Sequence, residues 1–288
     1  MELTNLFYNS LNASLKISLI IFFLMIVVEL FVLKYKEKLI YFAKKNKILG
    51  YVVSSFFGSI PGCIGTFAMD SLYMAGLLSF GGIVAAMIAT SGDEMFIMIS
   101  MIISGELAIN PIIGLVLILF FLGIIGGYLA DLIMKKHNFS FCKNCDIVHH
   151  KKSEFKLKHF FKEHIYEHIL KKHIWKIFLW LFAAIFIIDF IKPLIDTSII
   201  FSGSNLVYIL MVAALVGILP ISGPNVFLLV MFSKGLIPFS ILLTNSIIQD
   251  GHGLLPIMGF SMDDAVKIKI FNFVFGLIIG FILLGLGV

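Results

Sequence analysis

Residues 79–103 read SFGGIVAAMIATSGDEMFIMISMII. Two adjacent acids, Asp93 and Glu94, interrupt an apolar run long enough to cross a bilayer core, which takes about 20 residues. What such a break can do depends on the solvent around it. The chain has 288 residues, 60% of them hydrophobic and 14% charged, whereas a soluble domain is nearer ~45–50% apolar and ~25% charged. Further apolar runs occupy 17–33, 112–133, 177–191 and 271–287. The chain is therefore read as an all-α integral membrane protein. Its first residues, MELTNLFYNS, lack the basic leader of a signal peptide, so the first span is expected to be retained. In this solvent an acid at mid-depth is costly unless it faces a cavity, a partner or an ion. The plainer reading of SGDE is a turn at the membrane surface between two short helices.

A second polar interruption, QDGHG, lies at 249–253. Residues 58–80, GSIPGCIGTFAMDSLYMAGLLSF, resemble residues 217–239, GILPISGPNVFLLVMFSKGLIPF. One ungapped shift of 159 positions carries Gly58 onto Gly217, Pro61 onto Pro220, Gly76 onto Gly235, Phe80 onto Phe239 and Gly92 onto Gly251. TSGDE thus falls on QDGHG, and Glu29 falls one residue from the match to Asp189. Matched Gly and Pro at one offset point to an internal duplication: a first repeat at 1–133, a connector at 134–173 and a second repeat at 174–288.

Lysine placement bears on orientation, because short cytoplasmic loops collect basic residues. All 22 basic residues are Lys; six lie in 34–47 and ten in 134–173. Both stretches are expected to be cytoplasmic, and the Lys-free stretches 104–110 and 196–205 external. The pattern suits an inverted repeat with both termini outside; Lys16, Lys192 and Lys234 fit it less well. Each half also breaks twice, at IPGCIG and SGDE, and at LPISGPN and QDGHG. Unpaired backbone at such breaks is tolerated in hydrocarbon only where protein buries it or it lines a polar cavity. Discontinuous segments at matching places in two halves point to a transporter's binding site.

The strings IPGCIGTFAMDSLYMAGLLSFGGIVAAMIATSGDE, LPISGPNVFLLVMFSKGLIPFSILLTNSIIQDGHGLLP and HFFKEHIYEHILKKHIWKIFLWLF resemble those of the ten-span heavy-metal exporter family. Members of that family also carry the labels manganese transporter and arsenic efflux protein. The resemblance covers most of the chain, and the ATSGDE and QDGHG blocks are its most specific parts. It implies a multi-pass permease of the bacterial inner membrane for a metal or metalloid ion.

Asp93 and Glu94 in one half, with Asp250 and His252 in the other, are the expected ion-binding residues. Carboxylates with one imidazole suit a borderline or hard divalent ion such as Mn²⁺ or Zn²⁺. Cys63, whose counterpart is Ser222, adds a soft donor, or is simply a small residue at a tight turn. Asp70, Thr66, Asn225, Asn245 and Gln249 could add oxygen or nitrogen donors. A lone thiol does not make an arsenite site, and this many acids would not welcome an oxyanion, so a cation is favoured. Acids and a histidine at mid-membrane would also bind protons, which makes H⁺ the natural coupling ion. There is no G-x-x-x-x-G-K-[ST] loop, which speaks against ATP-driven transport by this chain alone.

The connector holds seven of the eight His. Cys142-x-x-Cys145 followed by His149 and His150 offers two thiolates and two imidazoles for Zn²⁺; otherwise its His and Lys are simply solvated. His164, Glu167 and His168 match H-x-x-E-H, with both His on one helix face. A metallohydrolase would need a third ligand and a cleft for which this short connector has no room, so no enzyme is expected. A helix leading into the next span fits better. No cofactor is required, with Zn²⁺ in the connector as the one candidate. The partners implied are the bilayer, the ion and protons; no nucleic acid is implied, and a homo-oligomer stays open. A passive channel on the same repeat is the main rival to a secondary transporter.

Labelling of single cysteines from outside the cell is expected to reach 104–110 and to miss 34–47 and 134–173. Outside labelling of positions within 140–160 would contradict the inverted orientation.

Overall fold

The structure, a computed structural model, describes residues 3–43, 46–136, 174–191, 193, 205–220 and 222–287. The connector residues Cys142, Cys145, His149, His150, His164 and His168 lie outside the described residues. The described chain forms helices and no strand: α1 (Leu3–Ala43), α2 (Lys47–Gly58), α3 (Ile64–Met74), α4 (Phe80–Ala89), α5 (Glu94–Ile103) and α6 (Ile109–Lys136) in the first half. In the second half it forms α7 (Trp175–Ile191), α8 (Asn205–Ile218), α9 (Gly223–Ser233), α10 (Phe239–Ile248), α11 (Leu255–Phe260) and α12 (Met262–Gly285). Among the described residues, four stretches are long and apolar enough to cross a membrane: Thr4–Val27, Phe80–Ile103, Ile109–Lys135 and Met262–Gly285. The protein is an all-α membrane protein. The Lys-rich stretch after the first apolar run is not a loop, because α1 continues through it to Ala43. Lysine is a good helix former, so charge there does not end the helix.

The breaks fall where Gly and Pro place them, and their backbone repeats at the same shift of 159. Thr90 and Gln249 are both extended, with ψ 131° and 132°. Gly92 and Gly251, two residues later, have φ 49° and 51°, a left-handed turn that favours glycine. Packing recurs as well. In each half the second helix packs on the third, fourth and sixth, and the fourth packs on the sixth.

Polar contacts show which helix ends share a side. The Tyr51 hydroxyl, near the start of α2, donates to Asp131 near the end of α6 (2.7 Å). The same carboxylate accepts from the Gly81 N–H at the start of α4 (2.6 Å). Helices α2 and α3 thus run inward and return, while α4 and α5 continue across to the other side. Tyr73, at the end of α3, donates to Asp264 at the start of α12 (3.0 Å), placing that end on the connector side too. On the opposite side, Lys234 after α9 pairs with Asp189 near the end of α7 (2.6 Å). Lys234, which fits the basic-residue pattern less well, is ion-paired there.

Small residues let the crossing helices approach closely, as small-xxx-small pairs do in membranes. Gly123 and Gly127 of α6 meet α4, and Gly276 and Gly280 of α12 meet α10. A Cβ on Gly127 would stand 2.4 Å from the Gly81 carbonyl oxygen, and one on Gly280 would stand 2.0 Å from Thr244 Oγ1. Lys269, in α12, fastens two of the inner helix ends. Its ammonium donates to the carbonyls of Gly217 and Ile248 (2.9 Å each) and pairs with the fully buried Asp250 (2.6 Å). Asn272 donates to the other Asp250 oxygen (2.8 Å).

Two outcomes follow for stability, each read as a melting transition in detergent. Gly127→Ala is expected to cost about 1–3 kcal/mol through overpacking, while Gly114→Ala, whose Cβ meets nothing within 4 Å, is expected to be silent. Lys269→Met strands a buried carboxylate and is expected to cost about 3–5 kcal/mol. Adding Asp250→Asn should recover much of that loss; no recovery would mean that the two groups do not act as a pair.

Candidate functional site

The four breaks come together. Within the first half, the Gly62 N–H donates to the Gly92 carbonyl (2.9 Å), so IPGCIG is stitched to SGDE. Within the second half, Ser222 Oγ lies 3.5 Å from His252 Nδ1. Across the halves, α5 packs on α9, and α11 packs on α3. The site therefore draws on both halves at the level where their helices are interrupted.

Three donors converge there. Cys63, Asp93 and His252 each offer one ligand atom, and these atoms lie within 4.8 Å of one another. His252 Nδ1 is 3.9 Å from Asp93 Oδ2. Local backbone aims them: Cys63 stands at the N-cap of α3 and Asp93 at the N-cap of α5, and neither side chain caps its helix. Positive helix ends add to the cost of binding a cation here, so the anionic side chains must outweigh them. SGDE is not a solvent-facing turn, because Asp93 and Glu94 are 3% and 1% exposed.

A cavity of about 320 Å³ adjoins these donors, lined by Asp93, Glu94, Ser222, His252, Trp180 and Lys176 among others. Lys176 and Trp180 mark its connector-side wall on α7. Both oxygens of Glu94 lack a hydrogen bond among the described residues. The Asn225 side chain lies within hydrogen-bonding reach of Glu94, at a geometry short of a formed hydrogen bond. Glu94 lines the same cavity but is not one of the three residues whose ligand atoms meet.

The other candidates separate from this centre. Asp250 is held by Lys269 and Asn272, and Asp70 stands near both Asp250 and Cys63, its charge close enough to act on each. Asp70 is fully buried, and neither of its oxygens has a hydrogen bond among the described residues. Asn225, Asn245 and Gln249 form an amide chain: Asn245 Nδ2 donates to Asn225 Oδ1 (3.0 Å) and to the Ala213 carbonyl (2.9 Å), and Asn225 Nδ2 lies 3.5 Å from Gln249 Oε1. These amides pin the second-half break. Thr66 Oγ1 donates to the Cys63 carbonyl (2.8 Å), satisfying backbone at the first-half break.

Sequence reasoning missed Lys269, Asn272, Lys176 and Trp180. The signal for the first two was a Lys and an Asn three residues apart where α12 turns apolar after its charged first turns, and neither belongs there without a partner. Trp180 offered no signal among so many aromatics.

Neither a curated protein nor a solved structure matches the chain. The family model described as "Putative, 10TM heavy-metal exporter" matches residues 4–202 and, in a second segment, 176–286. The two matched segments together span nearly the whole chain, and the chain belongs to this family.

Proposed function

We propose that the protein is a secondary permease that exports a divalent heavy-metal cation, which binds at Cys63, Asp93 and His252 with Glu94 as the fourth donor. The observation that carries this reading is the convergence of one thiol, one carboxylate and one imidazole from breaks in both halves, beside a cavity. One sulfur, one nitrogen and two carboxylates suit borderline ions; the carboxylates favour Mn²⁺, and the thiol draws the preference towards Zn²⁺. A single thiol speaks against arsenite.

The halves are read as an inverted repeat. Supporting this are the shared backbone geometry at the breaks and the placement of the α9 end with α7, opposite the α3 end with α12. Each half would then contribute one returning pair of helices and three crossings. Export is supported by the family description and by the cavity's position on the connector side, which the lysines assign to the cytoplasm. Protons are read as the coupling ion, because Glu94 and Asp70 are buried carboxyls without hydrogen bonds among the described residues, and each needs a cation, metal or H⁺, to offset its burial. Asp70, beside the Lys269-paired Asp250 and within electrostatic reach of Cys63, would be the proton carrier. The cell membrane follows as the location.

In proteoliposomes with matched protein, Asp93→Asn, His252→Ala and Glu94→Gln are each expected to lower Mn²⁺ or Zn²⁺ flux about tenfold or more. Cys63→Ser should lower Zn²⁺ flux more than Mn²⁺ flux, since oxygen ligands suit the harder ion. Near-normal flux in both Asp93→Asn and His252→Ala would contradict the site. Linear, non-saturating flux that follows voltage would replace the carrier with a channel.

A further inference from the structure

A second cavity, of about 330 Å³, lies on the side away from the connector. Its polar lining is Asn9, Ser10, Glu106, Asp189, Ser233 and Lys234. Its place relative to the first is set by three helices. On α5, Ile97 lines the first cavity and Met101 the second; on α9, Val226 lines the first and Val230 the second. On α7, Ile177 and Trp180 line the first, and Ile185 and Asp189 the second. Residues four apart lie on one helix face, about 6 Å along the axis at 1.5 Å per residue. The two cavities therefore lie on one seam, about one helical turn apart. What separates them is apolar and buried: Ile97, Met101, Leu181, Ala184 and Val230.

We propose that this second cavity is a further binding station for the same divalent cation, and that the Lys234 ammonium occupies it as a stand-in. The inference rests on the permease reading above. Lys234 Nζ sits 2.6 Å from Asp189 Oδ1, and Glu106 is near enough to both for their charges to interact. The lining itself sets two carboxylates against one ammonium, with Lys16 acting on Glu106 from outside it, and its free oxygens suit a cation over an anion. The walls partly desolvate Glu106 and raise its carboxyl above the usual range; Asp189 adds to this, while Lys234 and Lys16 oppose it. Ser10, in α1, supplies an independent observation. Its hydroxyl is buried, lines the cavity and makes no hydrogen bond among the described residues.

The donor sets differ in the direction export requires. The first station offers sulfur, nitrogen and oxygen; the second offers carboxylate, hydroxyl and amide oxygens. For Zn²⁺, oxygen donors of this kind bind more weakly than a thiolate and an imidazole do; for Mn²⁺, which suits oxygen, it is the Lys234 ammonium that weakens the station. A path conducts when a site binds well enough to load and weakly enough to release. Lys234 then acts as a competitor: it vies with the departing ion for Asp189 and Glu106, expels it, and keeps the acids paired afterwards.

The test counts Mn²⁺ bound to the full-length protein in detergent from the loss of the free-ion spin-resonance signal. Lys234→Met is expected to bind one more Mn²⁺ per chain than wild type. That extra ion should persist when Asp93→Asn is added and vanish when Asp189→Asn is added. If wild type binds none and Lys234→Met binds one, the first station fails and this one stands. No extra ion in a well-folded Lys234→Met protein would overturn the proposal. Should that variant not fold, Glu106→Gln, which keeps the Lys234–Asp189 pair, serves instead. It is expected to slow Mn²⁺ flux about tenfold while leaving equilibrium binding unchanged; unchanged flux would overturn the proposal.

Discussion

A broken helix in hydrocarbon leaves N–H and C=O groups that water cannot reach, and each one left unpaired costs several kcal/mol. Here four breaks satisfy one another and their own side chains. Gly62 donates to the Gly92 carbonyl, Gly92 donates to Thr90 Oγ1 (3.2 Å), Thr66 donates to the Cys63 carbonyl, and Lys269 serves the carbonyls of Gly217 and Ile248. Because the breaks need each other, they share one level, and polar side chains gather there. The proposed metal donors are members of that same gathering.

The two halves share a backbone and divide the chemistry. At the shift of 159, Cys63 falls on Ser222, Asp93 on His252, Glu94 on Gly253 and Asp70 on Leu229. The first half thus brings the thiol and three acids, and the second brings the imidazole. Asp250, the second half's own acid at the break, is neutralised by Lys269 in α12. A repeated frame with unequal donors gives one candidate site where the halves meet instead of two facing copies.

Much of this was legible in the sequence, for a physical reason. Gly and Pro report backbone conformation directly, so the breaks and the shift relating them could be read from Pro61 and Pro220, or Gly92 and Gly251. Acids in an apolar run report a cavity, and Asp93 and Glu94 do line one. What stayed hidden depends on tertiary pairing. Lys269 reads as a flanking charge until Asp250 is seen beside it, and Lys234 reads as an exception until Asp189 is. The expected single cluster of Asp93, Glu94, Asp250 and His252 divides in the structure because one ammonium claims Asp250. The helix through 34–43 was hidden for the opposite reason: charge suggests a loop, yet Lys costs a helix little.

The most direct measurement is X-ray absorption at the zinc edge of the full-length protein loaded with one Zn²⁺, with the connector thiols removed by Cys142→Ser and Cys145→Ser. The account predicts one sulfur at about 2.3 Å with nitrogen and oxygen neighbours at about 2.0–2.1 Å, and loss of the sulfur shell in Cys63→Ser. A shell of oxygen alone, or a sulfur shell that survives Cys63→Ser, would contradict it.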